Sequence, residues 1–434
     1  MASPNSAIMQ SVEKLNYRVT VGDVATQSGL DVKIVQQELL QLANDTNGHL
    51  QVAETGDIVY LFASNFRSIL RNKYWQLRWR KWLQKAWDIV FYLIKISFGI
   101  ILISSIIIML LAIIVIVVAI SSSKDGDNNG GDSRRGGGFF FLPQFWISPD
   151  FFWMFSPNYE ERRYQRQRNN KTENELNFLE SIYSFLFGDG NPNRNLEERR
   201  WQEIASVIKN NNGAIIAEQV APYLDTINNS NQEDENYILP ILIRFNGYPE
   251  VSDKGEIIYY FPELQVTAKQ RNKASVAPYL KENLWQFSIA SSGQKIGAIA
   301  LGGVNIVLAL MLGTLLTPEL AQEMGGFILF VNSIYGILVA YAVSYLTIPL
   351  IRYFWLQNRN NKVVERNNQR QNRANILESN SQLQNKINYA QQFAQQKVIT
   401  GENLAYSTEK DLLDQEIEQR DKIDEEWRKK LMDN

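Results

Sequence analysis

Three strongly apolar runs constrain this chain more than any other feature of its sequence. The first covers residues 89–120 and contains Lys95 as its single charged residue, and the others cover about residues 296–316 and 326–351. A helix of about 20 apolar residues crosses the hydrocarbon core of a bilayer. We therefore predict an integral, multi-pass membrane protein with three transmembrane helices, of which the last two form a hairpin around residues 317–325.

Patterned polar sequence precedes the first run. Between residues 17 and 66, Ala25, Gly29 and Val35 take the small, turn and apolar positions of a helix-turn-helix. Two alternating strands follow, at residues 49–53 and 57–63, and the Thr-Gly-Asp turn between them is typical of a hairpin. This order predicts a winged helix. The apolar face of its recognition helix is predicted to continue through Leu39, Leu40 and Leu42.

The end of this pattern recurs later in the chain, where GEIIYYF at residues 255–261 matches GDIVYLF at residues 56–62. Helices are predicted upstream at residues 196–209, 217–224 and 236–245. We therefore predict a second winged helix over residues 196–264, with an insertion in its turn at residues 225–234. Pro240 should kink its third helix because proline lacks the donor of the helical hydrogen bond.

The sequence thus predicts a multidomain, mainly α-helical membrane protein with two winged-helix (α+β) modules and a charged helical C-terminal tail. The predicted boundaries, in chain order, are a winged-helix-like domain (1–66), an interfacial amphipathic helix (67–87), transmembrane helix 1 (88–120), a Gly-rich loop with an aromatic interfacial segment and linker (121–195), a second winged-helix-like domain (196–264), a juxtamembrane linker (265–293), transmembrane helices 2 (294–316) and 3 (326–355), and a polar helical tail (356–434).

Tryptophans and basic residues alternate before the first run. A helix would hold the tryptophans on one face at the bilayer interface and direct the basic residues to anionic lipid, unless the tryptophans pack on the neighbouring domain. These membrane-interface candidates are Trp75, Trp79, Trp82, Arg78, Lys81 and Lys85.

Basic residues flank the first run on its N-terminal side and the third run on its C-terminal side, which predicts that both flanks are cytoplasmic. Those after the third run are Arg352, Arg359, Lys362, Arg366 and Arg370. Three crossings cannot place both flanks on one side. The aromatic residues 139–155 could re-enter or recross the membrane, but Pro143, Pro149 and Asp150 favour a segment lying in the interface. An interfacial segment would leave the first run to bend back or the domains to lie on opposite sides of the membrane. We expect all soluble domains on the cytoplasmic side, or on the stromal side in a plastid.

Ionisable residues are absent from the second and third runs, which disfavours a transporter or channel. Asn305, Asn332, Tyr335 and Tyr341 could line a small polar site, but hydrogen bonds between helices are the favoured use. Small residues at a spacing of four favour close helix packing. They are Ala298, Gly302, Ala309, Gly313, Gly336, Ala340 and Ser344.

The residue types of most catalytic and metal sites are scarce. Cysteine is absent and His49 is the single histidine, which removes thiolate ligands and the usual nucleophilic and zinc designs. Residues 125–130, DGDNNG, match half of a calcium loop, but its twelfth position is Gly136 rather than an acid, which favours a flexible linker. We predict no enzyme activity, no catalytic residue, no cofactor and no metal.

Winged helices commonly bind DNA, yet the recognition helix at residues 31–43 carries only Lys33 against Asp31 and Glu38. Because phosphate neutralisation supplies most of the affinity for DNA, protein docking is favoured over a membrane-tethered transcriptional regulator. The expected partners are the lipid bilayer and unidentified membrane or cytoplasmic proteins, with a homo-oligomer left open and nucleic acid disfavoured. Candidate partner contacts are Lys33, Gln36, Gln37, Thr55, Gly56 and Asp57.

The tail carries a partial apolar stripe over residues 411–431. A helix there could form a coiled coil, fold back on the modules or bind a partner, and the residues do not decide between these uses. The stripe comprises Leu412, Leu413, Ile417, Ile423 and Trp427.

The order of these parts resembles an uncharacterised family of cyanobacterial and chloroplast membrane proteins, some plant members of which carry the label iron–sulfur cluster biosynthesis family protein. The likeness rests on the paired GDIVYLF and GEIIYYF endings, on RGGGFFFLP at residues 135–143 and on the late hairpin. It implies a thylakoid or plasma-membrane location. No transit peptide is evident, from which we expect a bacterial member acting as a membrane scaffold or assembly factor.

Overall fold

The computed structural model describes residues 4–73, 75–124, 177–225, 235–252, 255–270 and 272–417, and residues 420, 424 and 428 beyond them. Its contacts form two compact units. Unit 1 combines Met1–Gln84, Pro192–Leu284 and Asn361–Asn434, and unit 2 combines Lys85–Asn191 and Trp285–Asn360. The predicted aromatic segment at 139–155, the calcium-like residues 125–130 and the RGGGFFFLP segment lie outside the described residues.

Unit 1 begins with a three-helix, three-strand arrangement, called here the first module. Its antiparallel sheet has the order β1-β3-β2. Local signals set the helix ends: Thr20 and Asp23 form a capping box at the start of α2, and Gly29 ends that helix at a φ of 69°. Its elements are α1 (Ser6–Lys14), β1 (Arg18–Thr20), α2 (Val21–Ser28), α3 (Val32–Thr46), β2 (His49–Ala53) and β3 (Ile58–Leu61), and α4 (Phe66–Lys73) follows.

The same order of helices and strands recurs in a second module, with the antiparallel order β4-β6-β5. The predicted kink at Pro240 is wrong: Pro240 lies in the first turn of α9, where its missing N–H has no helical acceptor to lose. The elements are α7 (Leu196–Asn210), β4 (Ala214–Ile215), α8 (Ala217–Val220), 3-10 turns at Ala221–Tyr223 and Asn236–Ile238, α9 (Leu239–Phe245), β5 (Tyr248–Val251), β6 (Ile257–Tyr260) and α10 (Pro262–Gln265).

The two modules share one hydrophobic core, to which both contribute fully buried side chains such as Val24 and Leu39 of the first and Ile204 and Phe245 of the second. Helix α2 packs on α7. Asp23, which is 4% exposed, accepts hydrogen bonds from the Thr267 hydroxyl and the Ala268 N–H, both at 2.8 Å. Buried polar groups must be paired in this way to be tolerated. The modules are therefore one folded body.

The tail is tied to both modules. Strand β8 (Lys397–Val398) pairs in parallel with β7 (Val266–Thr267), and β9 (Leu404–Ser407) pairs with β2, which otherwise would be the edge of the first sheet. The tail thus differs from the uniformly helical segment predicted. Before these strands it comprises the end of α13 (Gly326–Ser379) and α14 (Ser381–Ala390).

A buried ion-pair network fixes the end of α13 in unit 1. Arg370 is fully buried, donates to the Leu280 carbonyl at 2.9 Å, and pairs with Glu282 at 2.8 Å and with Asp225. Arg366 binds both oxygens of Glu282, at 2.8 and 2.6 Å. Two of the basic residues assigned from sequence to the membrane flank therefore neutralise carboxylates of the folded unit.

Unit 2 is a helical bundle. Among the described residues, three helices are long and apolar enough to cross a membrane, namely α5 (Trp75–Lys124), α11 (Ser292–Leu315) and α13. Unit 2 holds α11, the part of α5 from Lys85 onward and the part of α13 up to Asn360. A short apolar helix, α6 (Phe178–Phe187), packs against α11, and α12 (Pro318–Met324) joins α11 to α13. The predicted interfacial helix at residues 67–87 corresponds to two elements, α4 and the first turns of α5.

Polar side chains in the bundle hydrogen-bond between helices, as predicted for Tyr335 and Tyr341 but not for Tyr345, which the sequence did not single out. The hydroxyls of Tyr335, Tyr341 and Tyr345 donate to the carbonyls of Ala309, Phe98 and Ala298 at 3.1 to 3.2 Å. A Cβ at Gly302 would lie 2.6 Å from the Tyr345 ring, so glycine permits this approach. Gly336 has nothing within 4 Å of that position and plays no such part.

The end of α5 and the start of α6 do not lie close together. The side-chain amide of Asn177, directly before α6, donates to the Tyr92 hydroxyl of α5 at 3.4 Å. Helix α5 then continues to Lys124, about 48 Å farther along its axis at 1.5 Å per residue. Lys124 and Asn177 therefore lie far apart along the axis of α5.

Replacing Arg370 should destabilise unit 1 strongly. Arg370→Leu leaves the 6%-exposed carboxylate of Glu282 without one of its cations, which should lower the free energy of unfolding by about 3–5 kcal/mol. Lys362→Leu, on the exposed face of the same helix, is the matched control and should change it by less than about 0.5 kcal/mol. Urea unfolding in detergent, followed by tryptophan fluorescence, measures both. Equal effects of the two variants would contradict this role.

The same network predicts an acid limit to stability. Burial alone would raise the pKa of Glu282 and of Asp225, but their arginine partners outweigh it and lower both pKa values from 4.5 and 3.8. The stabilisation is therefore complete above about pH 4.5 and is lost as the pH falls through the lowered pKa values. Unfolding midpoints from pH 6 to pH 2.5 should show this loss in the native chain and a smaller one in Arg370→Leu.

Candidate docking site on the first module

Helix α3 has one buried and one exposed face. Asp31 caps it by accepting from the Lys33 N–H at 2.8 Å. Val35 and Leu39 are fully buried, whereas the predicted contacts Lys33, Gln36 and Gln37 are exposed. Leu40, which the sequence assigned to the buried face, is 55% exposed, as is Ile34 at 47%. The prediction for Leu40 is wrong because position 40 lies about 100° around the helix from Leu39.

The hairpin between β2 and β3 holds the other predicted contacts. Gly56 has a φ of 84°, in the left-handed region that favours glycine, and nothing lies within 4 Å of its Cβ position. The Thr55 hydroxyl donates to the Asp57 carboxylate at 2.6 Å, which fixes the turn. Thr55, Gly56 and Asp57 thus form a firmly shaped tip that carries one negative charge.

A recess separates α3 from this hairpin and brings predicted and unpredicted residues together. Its volume is about 140 Å³. Gln36 and Asp57 line it, and so do Tyr60 of β3 and Glu263 of α10, which the sequence did not single out. No sequence signal could have joined Glu263 to this site because the residue belongs to the second module. The remaining lining residues are Thr20, Val21, Gly22, Gly56, Ile58 and Val266.

The recess is electronegative. None of the described residues that line it is basic. Burial and the nearby charge of Asp57 raise the pKa of Glu263, and burial followed by the charge of Glu263 raises the pKa of Tyr60. Two carboxylates so placed repel phosphate groups and attract cations. The arrangement favours a positively charged partner group over a nucleic-acid backbone.

The corresponding helix of the second module is less available. The Arg244 side chain of α9 donates to the Gly29 carbonyl at 2.7 Å and its guanidinium lies 4.4 Å from the centre of the Trp201 ring. Leu239 and Ile243 remain exposed. Helix α9 thus uses its basic residue to hold the modules together, which leaves α3 as the better candidate surface.

A larger polar cleft of about 350 Å³ lies between α2 and α7. Two of its charged residues, Asp23 and Lys209, lie 3.4 Å apart, and Lys209 also donates to the Val266 carbonyl at 3.1 Å. Because these charged groups already pair with each other and with the backbone of unit 1, the cleft is a weaker candidate than the recess for docking a partner.

The membrane-interface candidates lie in the first turns of α5 and at Lys85. Trp79 and Trp82 are 43% and 60% exposed, and their rings meet edge to face at 5.5 Å. Lys85 is exposed. The side chains of Trp75, Arg78 and Lys81 lie outside the described set. Within the described part of the chain, no group of three or more His, Asp or Glu side chains is placed to hold a metal.

The chain is 39% identical to an uncharacterized chloroplastic protein of Arabidopsis thaliana over 425 residues, which are 94% of this chain and 80% of that protein. No family model matches the chain, and no solved structure matches it. The chloroplast part of the resemblance drawn from sequence is confirmed, while its iron–sulfur label and cyanobacterial members receive no support. With the three apolar helices, this relationship indicates a membrane or thylakoid location.

The burial of Glu263, together with the nearby charge of Asp57, should make the stability of unit 1 depend on pH. The raised pKa of Glu263 means that the folded state binds its proton before the unfolded state does, so stability rises as the pH falls from 7 toward about 4.5. Glu263→Gln should remove this rise and stabilise unit 1 at pH 7 by about 0.5 kcal/mol, a value reduced for solvent screening of a half-buried group. Glu54→Gln, exposed on the same hairpin, is the control and should change neither quantity.

Proposed function

This chain belongs to the family of the chloroplastic Arabidopsis protein, and we propose that it is a non-enzymatic integral membrane scaffold or assembly factor that docks protein partners beside the bilayer. The observation that carries the proposal is the exposed face of α3, which combines Ile34 and Leu40 with amide side chains next to an electronegative recess. A mixture of aliphatic and polar groups is the usual composition of a non-obligate protein interface.

We assign both modules of unit 1 as winged helices. In each, a helix and a short strand precede two helices and a hairpin, and the first strand pairs with the last. A winged helix presents its third helix and its hairpin on one side. In the first module these are α3 and the Thr55–Asp57 turn, the elements between which the recess lies.

The proposed topology places all of unit 1 on one side of the membrane. Unit 1 combines segments that precede α5, lie between α6 and α11, and follow the apolar part of α13. Its two modules share one hydrophobic core, so they have to lie on the same side of the membrane. Helices α11 and α13 form a hairpin that starts and ends on that side. Because segments of unit 1 flank residues 85–191 on both sides in the chain, this topology requires that stretch to begin and end on the same side of the membrane.

The alternative, a membrane-tethered DNA-binding regulator, needs a basic surface on α3. Lys33 is the single basic residue of that helix, and the adjoining recess carries Asp57 and Glu263. Because phosphate contacts supply most DNA affinity, this surface disfavours the alternative. The iron–sulfur label of the resembling plant proteins is not part of the proposal, since a cysteine-free chain offers no thiolate to a cluster.

Photo-crosslinking in native membranes tests docking through α3. Benzoylphenylalanine replacing Gln37 should give a discrete, reproducible protein adduct, and Leu40→Asp in the same chain should reduce its yield about tenfold by placing a charge in the contact. The same probe replacing Lys281, an exposed residue elsewhere in unit 1, is the control. An adduct pattern common to both positions, or one insensitive to Leu40→Asp, would exclude α3 as the docking face.

A further inference from the structure

We propose that the recess between α3 and the hairpin accepts a lysine or arginine side chain of the docked protein. This inference rests on the proposed docking function and adds the chemistry of the partner's anchoring residue. It follows from the size of the recess, its charge and one unpaired polar group in its wall.

The volume of the recess fits a single protein side chain better than a free small molecule. The recess measures about 140 Å³, whereas sites for small molecules and cofactors usually measure about 300–1,000 Å³. Val21 and Ile58 are among its walls, so the aliphatic stem of a long basic residue finds apolar contacts while its charged head reaches the carboxylates.

The charge selects a cation. Asp57 and Glu263 both line the recess, with no basic residue among the described lining groups. Two like charges in one small space disfavour each other, and a cation placed between them removes that cost. A phosphate or carboxylate would increase it.

Tyr60 supplies an independent observation. The Tyr60 side chain is only 2% exposed and lines the recess. Its hydroxyl makes no hydrogen bond to any of the described residues. That oxygen is not among the buried unpartnered side-chain atoms of the described residues, so it is open to solvent and available to a ligand in the recess. The hydroxyl oxygen can accept from an ammonium or guanidinium N–H, which completes a ring of three acceptors with the two carboxylates.

Binding of single-residue probes to the full-length protein in phosphatidylcholine nanodiscs tests the inference. The probes are the Nα-acetyl N-methylamides of lysine and arginine, with norleucine as the uncharged match for lysine, and ligand-observed NMR gives the dissociation constants. At least one basic probe should bind, and norleucine should bind at least about tenfold more weakly. Glu263→Gln should weaken the basic probe about tenfold, Tyr60→Phe several-fold, and the control Glu54→Gln should leave it unchanged.

Equal binding of norleucine, insensitivity to Glu263→Gln, or absence of binding by both basic probes would overturn the cation site. Displacement of the basic probe by a short DNA duplex would do so as well, because it would place phosphates at the recess. Crosslinking at Gln37 distinguishes failure of the docking function from failure of the cation site. If the Gln37 adduct persists in Glu263→Gln while the basic probes do not bind, docking through α3 is supported and the cation site is excluded.

Discussion

The shared core of the two modules is the constraint on which the rest of the structure depends. Helix α2 lies so close to α10 that a Cβ at Gly22 would stand 2.0 Å from the Glu263 carbonyl oxygen, and Asp23 beside it is buried and bonded to Thr267 and Ala268. A long apolar helix separates these modules in the chain. Their association therefore constrains how often the chain can cross a membrane between them.

The same closeness creates the candidate docking site. The recess exists because α10 of the second module reaches the gap between α3 and the hairpin of the first, which places Glu263 near Asp57. Neither module alone would have this electrostatic character. The tail reinforces the pairing, since β8 lies on the linker strand β7 and β9 completes the first sheet. The docking surface is therefore a property of the assembled unit.

Much of each module was predictable because its signals are local. The capping box at Thr20, the left-handed Gly29 and the Thr-Gly-Asp turn all act within a few residues. Contacts between segments that are distant in the chain were not predictable from the sequence. The burial of Arg370 against Glu282, the pairing of β9 with β2 and the presence of Glu263 in the recess depend on tertiary packing. Leu40 shows the limit within a helix, where adjacent leucines face different surroundings.

Side-specific labelling of single cysteines tests the central claim, that one folded body on one side of the membrane carries both modules. The chain has no cysteine, so Thr55→Cys, Lys273→Cys, Glu409→Cys and Gln322→Cys, all at exposed positions, each report one site. In oriented membrane vesicles an impermeant maleimide should label the first three from one side and Gln322→Cys, in the short helix α12 between α11 and α13, from the other. Labelling of Thr55→Cys and Lys273→Cys from opposite sides would contradict the account.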